Sequence, residues 1–155
     1  MMSVSLRPLR EEDWDAFLAT TKAGYAGDMI AAGVADDVAH AKADRDFATL
    51  LPDGVATEGH HLYAVEEDGE HAGWLWLAER RGDIGHSMFV YAIELMPAFR
   101  GRGIGRAAME LAEAETTARG IPAISLNVFG ANDVARGLYT SLGYRETAIH
   151  MEKKL

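Results

Sequence analysis

The order of periodic segments predicts an α/β domain in which helices cover a twisted sheet. Three observations carry that prediction. Strand-length and helix-length segments alternate in the order β-α-α-β-β-β-α-β-α-β, without repeats or long linkers. Asp68-Gly69 separates two apolar runs, the signature of a tight hairpin. A turn rich in glycine and arginine, Pro97 to Arg106, leads from a strand into an amphipathic helix.

Val4 to Leu9 reads as the first strand, and Glu11 and Glu12 open a helical stretch through Trp14, Phe17, Leu18 and Tyr25. A second helix, Asp36 to Leu50, ends at the turn chemistry of Pro52-Asp53-Gly54. Tyr25 and Met29 are expected near the break between these helices, where they line an acceptor pocket or simply pack. His61–Glu66 and His71–Leu77 form the hairpin, and Met88–Met96 is a long strand. Ile104 to Arg119 carries Ile104, Ala107, Ala108 and Leu111 on one face, and Gly120 with Pro122 stops it. Ile124 to Val128 is a strand. A helix capped at Asn132 or its neighbour follows, with Val134, Ala135, Leu138, Tyr139 and Leu142 inward and Gly143 at its end. Tyr144 to Lys153 is expected to give one or two final strands.

The 155 residues suit a single domain, and the apolar share of 48% is enough for one sizeable core. No apolar run is long enough to span a bilayer, and the first residues lack the pattern of a secretory signal, so a cytoplasmic location is expected without a membrane partner. Without cysteine there is no thiolate nucleophile or zinc–thiolate site, and no histidine spacing points to a metal. A net charge of −9 argues against nucleic acid as the main partner.

Against that acidic background, Arg100, Arg102 and Arg106 cluster at one helix start, with no acid between Glu94 and Glu110. Gly101, Gly103 and Gly105 let the backbone turn tightly and approach a ligand. The free N–H groups of the first helical turn, aided by the helix dipole, then favour an anion such as a phosphate. Gly103, Gly105 and Ala108 also satisfy a dinucleotide fingerprint. The next strand offers no Asp or Glu for a ribose hydroxyl, which disfavours a nucleotide-binding oxidoreductase.

Arg100-Gly101-Arg102-Gly103-Ile104-Gly105 after a strand resembles the Gln/Arg-x-x-Gly-x-Gly/Ala signature of the GCN5-related N-acetyltransferase (GNAT) superfamily. Asn132 to Tyr144 is similar to that superfamily's Asn-x-x-Ala-x-x-Leu-Tyr-x-x-x-Gly-Phe/Tyr run. The resemblance implies a twisted mixed sheet of six or seven strands flanked by about four helices, with parallel fourth and fifth strands that splay apart. It implies acetyl-CoA as co-substrate and a small-molecule or peptide amine as acceptor. Ile93 and Leu95 would offer backbone groups to the pantetheine arm, and Arg100 to Arg106, Ile104 included, would cradle the pyrophosphate. Asn132 would touch the cofactor, and Tyr139 would stand near the sulfur. Homodimers are common in the superfamily and would be compatible with this chain.

Acyl transfer from a thioester needs a neutral amine, a stabilised oxyanion and a protonated leaving thiol. A thiol near pKa 8.5 and a tyrosine near 10 make Tyr139 a suitable general acid, about 1.5 units from a match. By periodicity alone Tyr139 is a core aromatic. The resemblance implies Glu where this chain has Asn127, as peptide N-terminal acetyltransferases of the superfamily often carry, or near Phe89, as histone-type members do, and neither carboxylate is present. Glu94, the nearest acid, alternates away from Ile93 and Leu95, and a water chain is the expected route for the amine's proton. The missing carboxylates leave a non-catalytic acyl-CoA-binding or regulatory module as the alternative.

Overall fold

The computed structural model describes residues 2–83 and 85–155. Its strands are β1 (Val4–Pro8), β2 (His60–Glu67), β3 (Glu70–Gly82), β4 (Gly85–Leu95) and β5 (Ile124–Leu126). Its helices are α1 (Trp14–Ala31), α2 (Asp36–Leu50), α3 (Ile104–Ala118) and α4 (Asp133–Ser141). The strands lie side by side in chain order, antiparallel from β1 to β4 and parallel between β4 and β5. The mixed sheet and four helices agree with the predicted architecture.

The hairpin forms where Asp-Gly predicts it. Asp68 and Gly69 both have positive φ, 50° and 82°, as a type I′ turn requires, and Glu67 pairs with Glu70 across it. Alternation then sorts the side chains into two cores. Tyr63, Val65, Leu75 and Leu77 face α3 and its Ile104, Ala108, Met109 and Ala112. Leu62, Ala64, Trp74 and Trp76 face Phe17 of α1 and Phe47 of α2. Because both faces are covered, β3 is buried continuously from Ala72 to Ala78 instead of alternating with solvent.

A β-bulge interrupts the β3–β4 ladder, since Leu77 pairs with Val90 but Trp76 pairs with Ala92. Tyr91 is the extra residue, and the alternation of β4 changes phase there. Before it, Met88 and Val90 point to the α3 core; after it, Ile93 and Leu95 do. Tyr91 and Ala92 pack on the α1/α2 side.

Several expectations are corrected. Among the described residues the sheet has five strands, not six or seven, because residues 145–155 pair with none of them. Ile149 and Met151, within the segment expected to form the final strands, are exposed, and a strand exists only where a ladder partner satisfies its backbone. Tyr25 and Met29 do lie near the break, in the last two turns of α1 before residues 32–35, but Met29 is buried in packing with Ala26, Ala39 and Ala43 and lines no pocket among the described residues. Val134 belongs to the outer face of α4, 87% exposed, while Leu138, Tyr139 and Leu142 pack against the α3 core.

Candidate active site

The parallel pairing of β4 with β5 is short. It covers Met88 to Val90 against Ile124 to Leu126 and stops, whereas β4 stays paired with β3 as far as Leu95. The β5-facing edge of Tyr91 to Leu95 is therefore left without a ladder partner, and its backbone polar groups are available to a ligand. A cleft of about 810 Å³ opens at this parting and reaches both faces of the sheet. Ile93, Leu95, Arg100, Gly105, Asn132 and Tyr139 line it, together with Asn127.

The glycine turn has the geometry its composition predicts. Gly101 and Gly103 have φ of 71° and 83°, and Gly103 is the N-cap of α3. A Cβ on Gly105 would lie 3.7 Å from Leu95 and 3.8 Å from Leu138, ordinary contact distances, so the start of α3 packs closely against β4 and α4. Ile104 is fully buried in the α3 core, where it anchors the helix start and presents only its backbone to any ligand.

The three arginines are not equivalent. Arg100 lines the cleft and donates through Nε to the Leu95 carbonyl at 3.1 Å. Arg106 donates to the Ser141 hydroxyl, tying α3 to the end of α4. Arg102 turns to the opposite end of the turn, where it pairs with Glu67 at 2.6 Å beside Phe99. The local sequence lacks an acid near these cations; the hairpin supplies one from 35 residues away. Gly101, Arg102, Gly103, Ile104 and Arg106 thus shape the turn from outside the cleft wall. Asn132 caps α4 by accepting from the Ala135 amide at 3.2 Å, and Tyr139 stacks edge-on with Tyr144.

On the α1/α2 side Tyr25 lines the cleft, one of the two roles expected for it, together with side chains that sequence reasoning left out: Thr21 and Asp28 from the same stripe of α1, and Asp46 and Phe47 from α2. Trp76 and Tyr91 stack at 4.6 Å, and the Arg80 guanidinium lies 3.5 Å from the Phe89 ring centroid. The spacing of Thr21, Gly24, Tyr25 and Asp28, i, i+3, i+4, i+7, was the available signal: a partly polar stripe on a helix that covers a core. Tyr25 donates to Asp46 at 2.6 Å, and burial followed by that carboxylate raises its pKa. Burial alone would raise Asp46, but bonds from Lys42 and Tyr25 hold it below the ordinary range.

Glu94 also lines this wall. It does alternate away from Ile93 and Leu95, and that turns it toward α1, on a face the cleft reaches as well. Burial raises the pKa of Glu94, the Asp28 carboxylate raises it further, and Arg100 opposes both. Burial likewise raises Asp28. The Tyr139 hydroxyl is raised by burial first and then by Asp28 and Glu94, so it stays protonated through neutral pH. Two carboxyls and a phenol therefore share one electrostatic environment at the parting of the strands.

A mixed sheet parted between parallel strands, with a glycine turn opening a helix beside the gap, defines an acyltransferase architecture. The chain belongs to the acetyltransferase (GNAT) family, whose sequence profile matches residues 9–144. It is 31% identical to the uncharacterized N-acetyltransferase YycN of Bacillus subtilis (strain 168), over 99% of this chain and all of YycN. The crystal structure of YycN superposes with a TM-score of 0.90 over 99% of both chains. A GCN5-related N-acetyltransferase from Ralstonia eutropha JMP134 is 25% identical, with a TM-score of 0.76 over 99% of both chains. AAC(6′)-Iy in complex with the bisubstrate analogue CoA-S-monomethyl-acetylneamine shares the fold, with a TM-score of 0.66 at 17% identity over 99% of both chains.

Proposed function

We propose that this protein transfers an acetyl group from acetyl-CoA to a primary amine of a small molecule or peptide, with Tyr139 as general acid. One observation carries the reading. The free edge of β4 from Tyr91 to Leu95, the Gly105 end of α3 and Tyr139 all border one cleft. The pantetheine arm fits along the free edge, through the backbone groups of Ile93 and Leu95. The pyrophosphate fits the α3 start at Gly103–Gly105, where unpaired amides and the helix dipole favour an anion. Arg100 and Arg106 add positive charge there, and Arg102 does so on leaving Glu67.

The neutral amine nitrogen attacks the thioester carbonyl carbon, the C–S bond breaks, the departing thiolate takes the proton of the Tyr139 hydroxyl, and a proton lost from the nitrogen restores that hydroxyl. A backbone N–H on the free edge of β4 steadies the oxyanion. The pyrophosphate site and the thiolate donor sit on the α3/α4 side. The amine enters from the α1/α2 side, where Asp28, Asp46 and Glu94 suit a cation. The analogue held by AAC(6′)-Iy, in which CoA is joined to an acetylneamine, fits an acceptor of this kind.

Tyr139→Phe keeps the ring and removes the proton. Thiol release from acetyl-CoA with an amine acceptor is expected to fall by about 10²–10⁴-fold, while calorimetric acetyl-CoA affinity stays near that of the wild type. Full turnover in the Phe variant would return Tyr139 to a packing role. Binding without turnover in the wild type, across a panel of amines, would favour the non-catalytic acyl-CoA module.

A further inference from the structure

Glycine inside a helix is unfavourable unless something requires its missing side chain. Gly24 lies in the middle of α1, and a Cβ there would fall 2.0 Å from Oε1 and 2.4 Å from Cδ of Glu94. The helix is therefore notched at Gly24, and the Glu94 carboxyl occupies the notch. One turn later on the same stripe, Asp28 faces the cleft, and Tyr139 of α4 and Arg100 line the same cleft within range of the Glu94 charge. From this geometry we propose that Glu94, seated in the Gly24 notch, is the group that takes the proton from the acceptor amine.

This rests on the acetyl-transfer reading and supplies the half-reaction that the alternation argument had given to water. The acceptor arrives as an ammonium, attracted by Asp28 and Glu94. Glu94 accepts one proton and passes it to solvent through the open cleft. The neutral nitrogen forms the C–N bond as the C–S bond breaks. Tyr139 protonates the thiolate and regains a proton from the nitrogen, so that the net release is one proton. The raised pKa of Glu94 brings its basicity closer to that of an amine, which is the direction a general base needs.

The notch provides a test that moves the carboxyl without changing its chemistry. The atoms a Cβ at residue 24 would meet are the flexible end of a side chain, so Gly24→Ala folds and displaces Glu94. Wild type, Glu94→Gln, Gly24→Ala and the double variant are compared by thiol release against pH with one alkylamine. If Glu94 is the base, Glu94→Gln lowers kcat/KM by about 10²–10⁴-fold. Its profile then climbs steadily towards the amine's own pKa, where the wild type levels off. Gly24→Ala lowers kcat/KM as well, and adding it to Glu94→Gln costs little more. Acetyl-CoA affinity stays unchanged in all four proteins. If Glu94→Gln and Gly24→Ala both stay within several-fold of wild type with the same pH profile, the proposal is overturned and water carries the proton. If the wild type itself releases no thiol with any amine, the acetyl-transfer reading falls first and takes this proposal with it.

Discussion

At the scale of single residues, the site sets stability against chemistry. Burial and the Asp28 carboxylate make ionised Glu94 less favourable in the folded chain than in the unfolded one. With its folded pKa raised, Glu94 imposes no penalty below the ordinary Glu value of about 4.3, and stability is lost as pH rises through the folded pKa. Glu94→Gln removes the titration. Its melting temperature is expected to match the wild type near pH 4 and to exceed it at pH 7, in a pair of thermal melts at the two pH values. Equal melting temperatures at both would mean that the folded site carries no ionisation penalty. A variant that is more stable and less active is the usual signature of a group held for function.

At the scale of elements, close backbone approach decides where glycine is indispensable. Gly73 of β3 faces Leu95, and a Cβ there would fall 2.1 Å from the Glu94 carbonyl oxygen and 2.9 Å from the Leu95 Cα. These are backbone atoms held by the β3–β4 ladder and by the Met96 amide bonded to the Ala72 carbonyl at 2.8 Å. The chain cannot yield as the Glu94 side chain can. Gly73→Ala is therefore expected to cost about 1–3 kcal/mol in urea unfolding, in the range of overpacked cores. Because it pushes on the free edge of β4, it should weaken acetyl-CoA binding too. An unchanged unfolding midpoint would show that the two strands part easily at this point.

At the scale of the whole molecule, one sheet separates two cores, and the aromatic content is divided unevenly between them. Trp14, Trp74 and Trp76 all belong to the α1/α2 side, while the α3 core contains none of them. Tryptophan fluorescence thus reports one layer only. Met109 is fully buried in the other, and Met109→Ala is expected to cost about 2–5 kcal/mol. Since β3 and β4 furnish both cores, the fluorescence and far-ultraviolet dichroism transitions should shift together. A fluorescence transition left in place while the dichroism moves would mean that the layers unfold separately.

How much of this was legible beforehand follows from the range of the interactions. The hairpin turn, the glycine-rich start of α3 and the cap at Asn132 depend on backbone conformation and on side chains a few residues apart, and local sequence encodes them directly. The family motifs, read along the chain, located Tyr139 and the α3 turn. Non-local contacts decided the rest. Glu67 reached Arg102 across the fold, the bulge at Tyr91 reset the phase of β4, and residues 145–155 found no strand to pair with. Glu94 shows the division most clearly. Its alternation away from Ile93 and Leu95 was visible in the sequence. That this direction leads into the cleft, beside Asp28 and into a notch at Gly24, depends on α1 packing across a sheet whose fourth and fifth strands part. Pattern along a chain states which way a side chain points, and only packing between elements determines what it meets there.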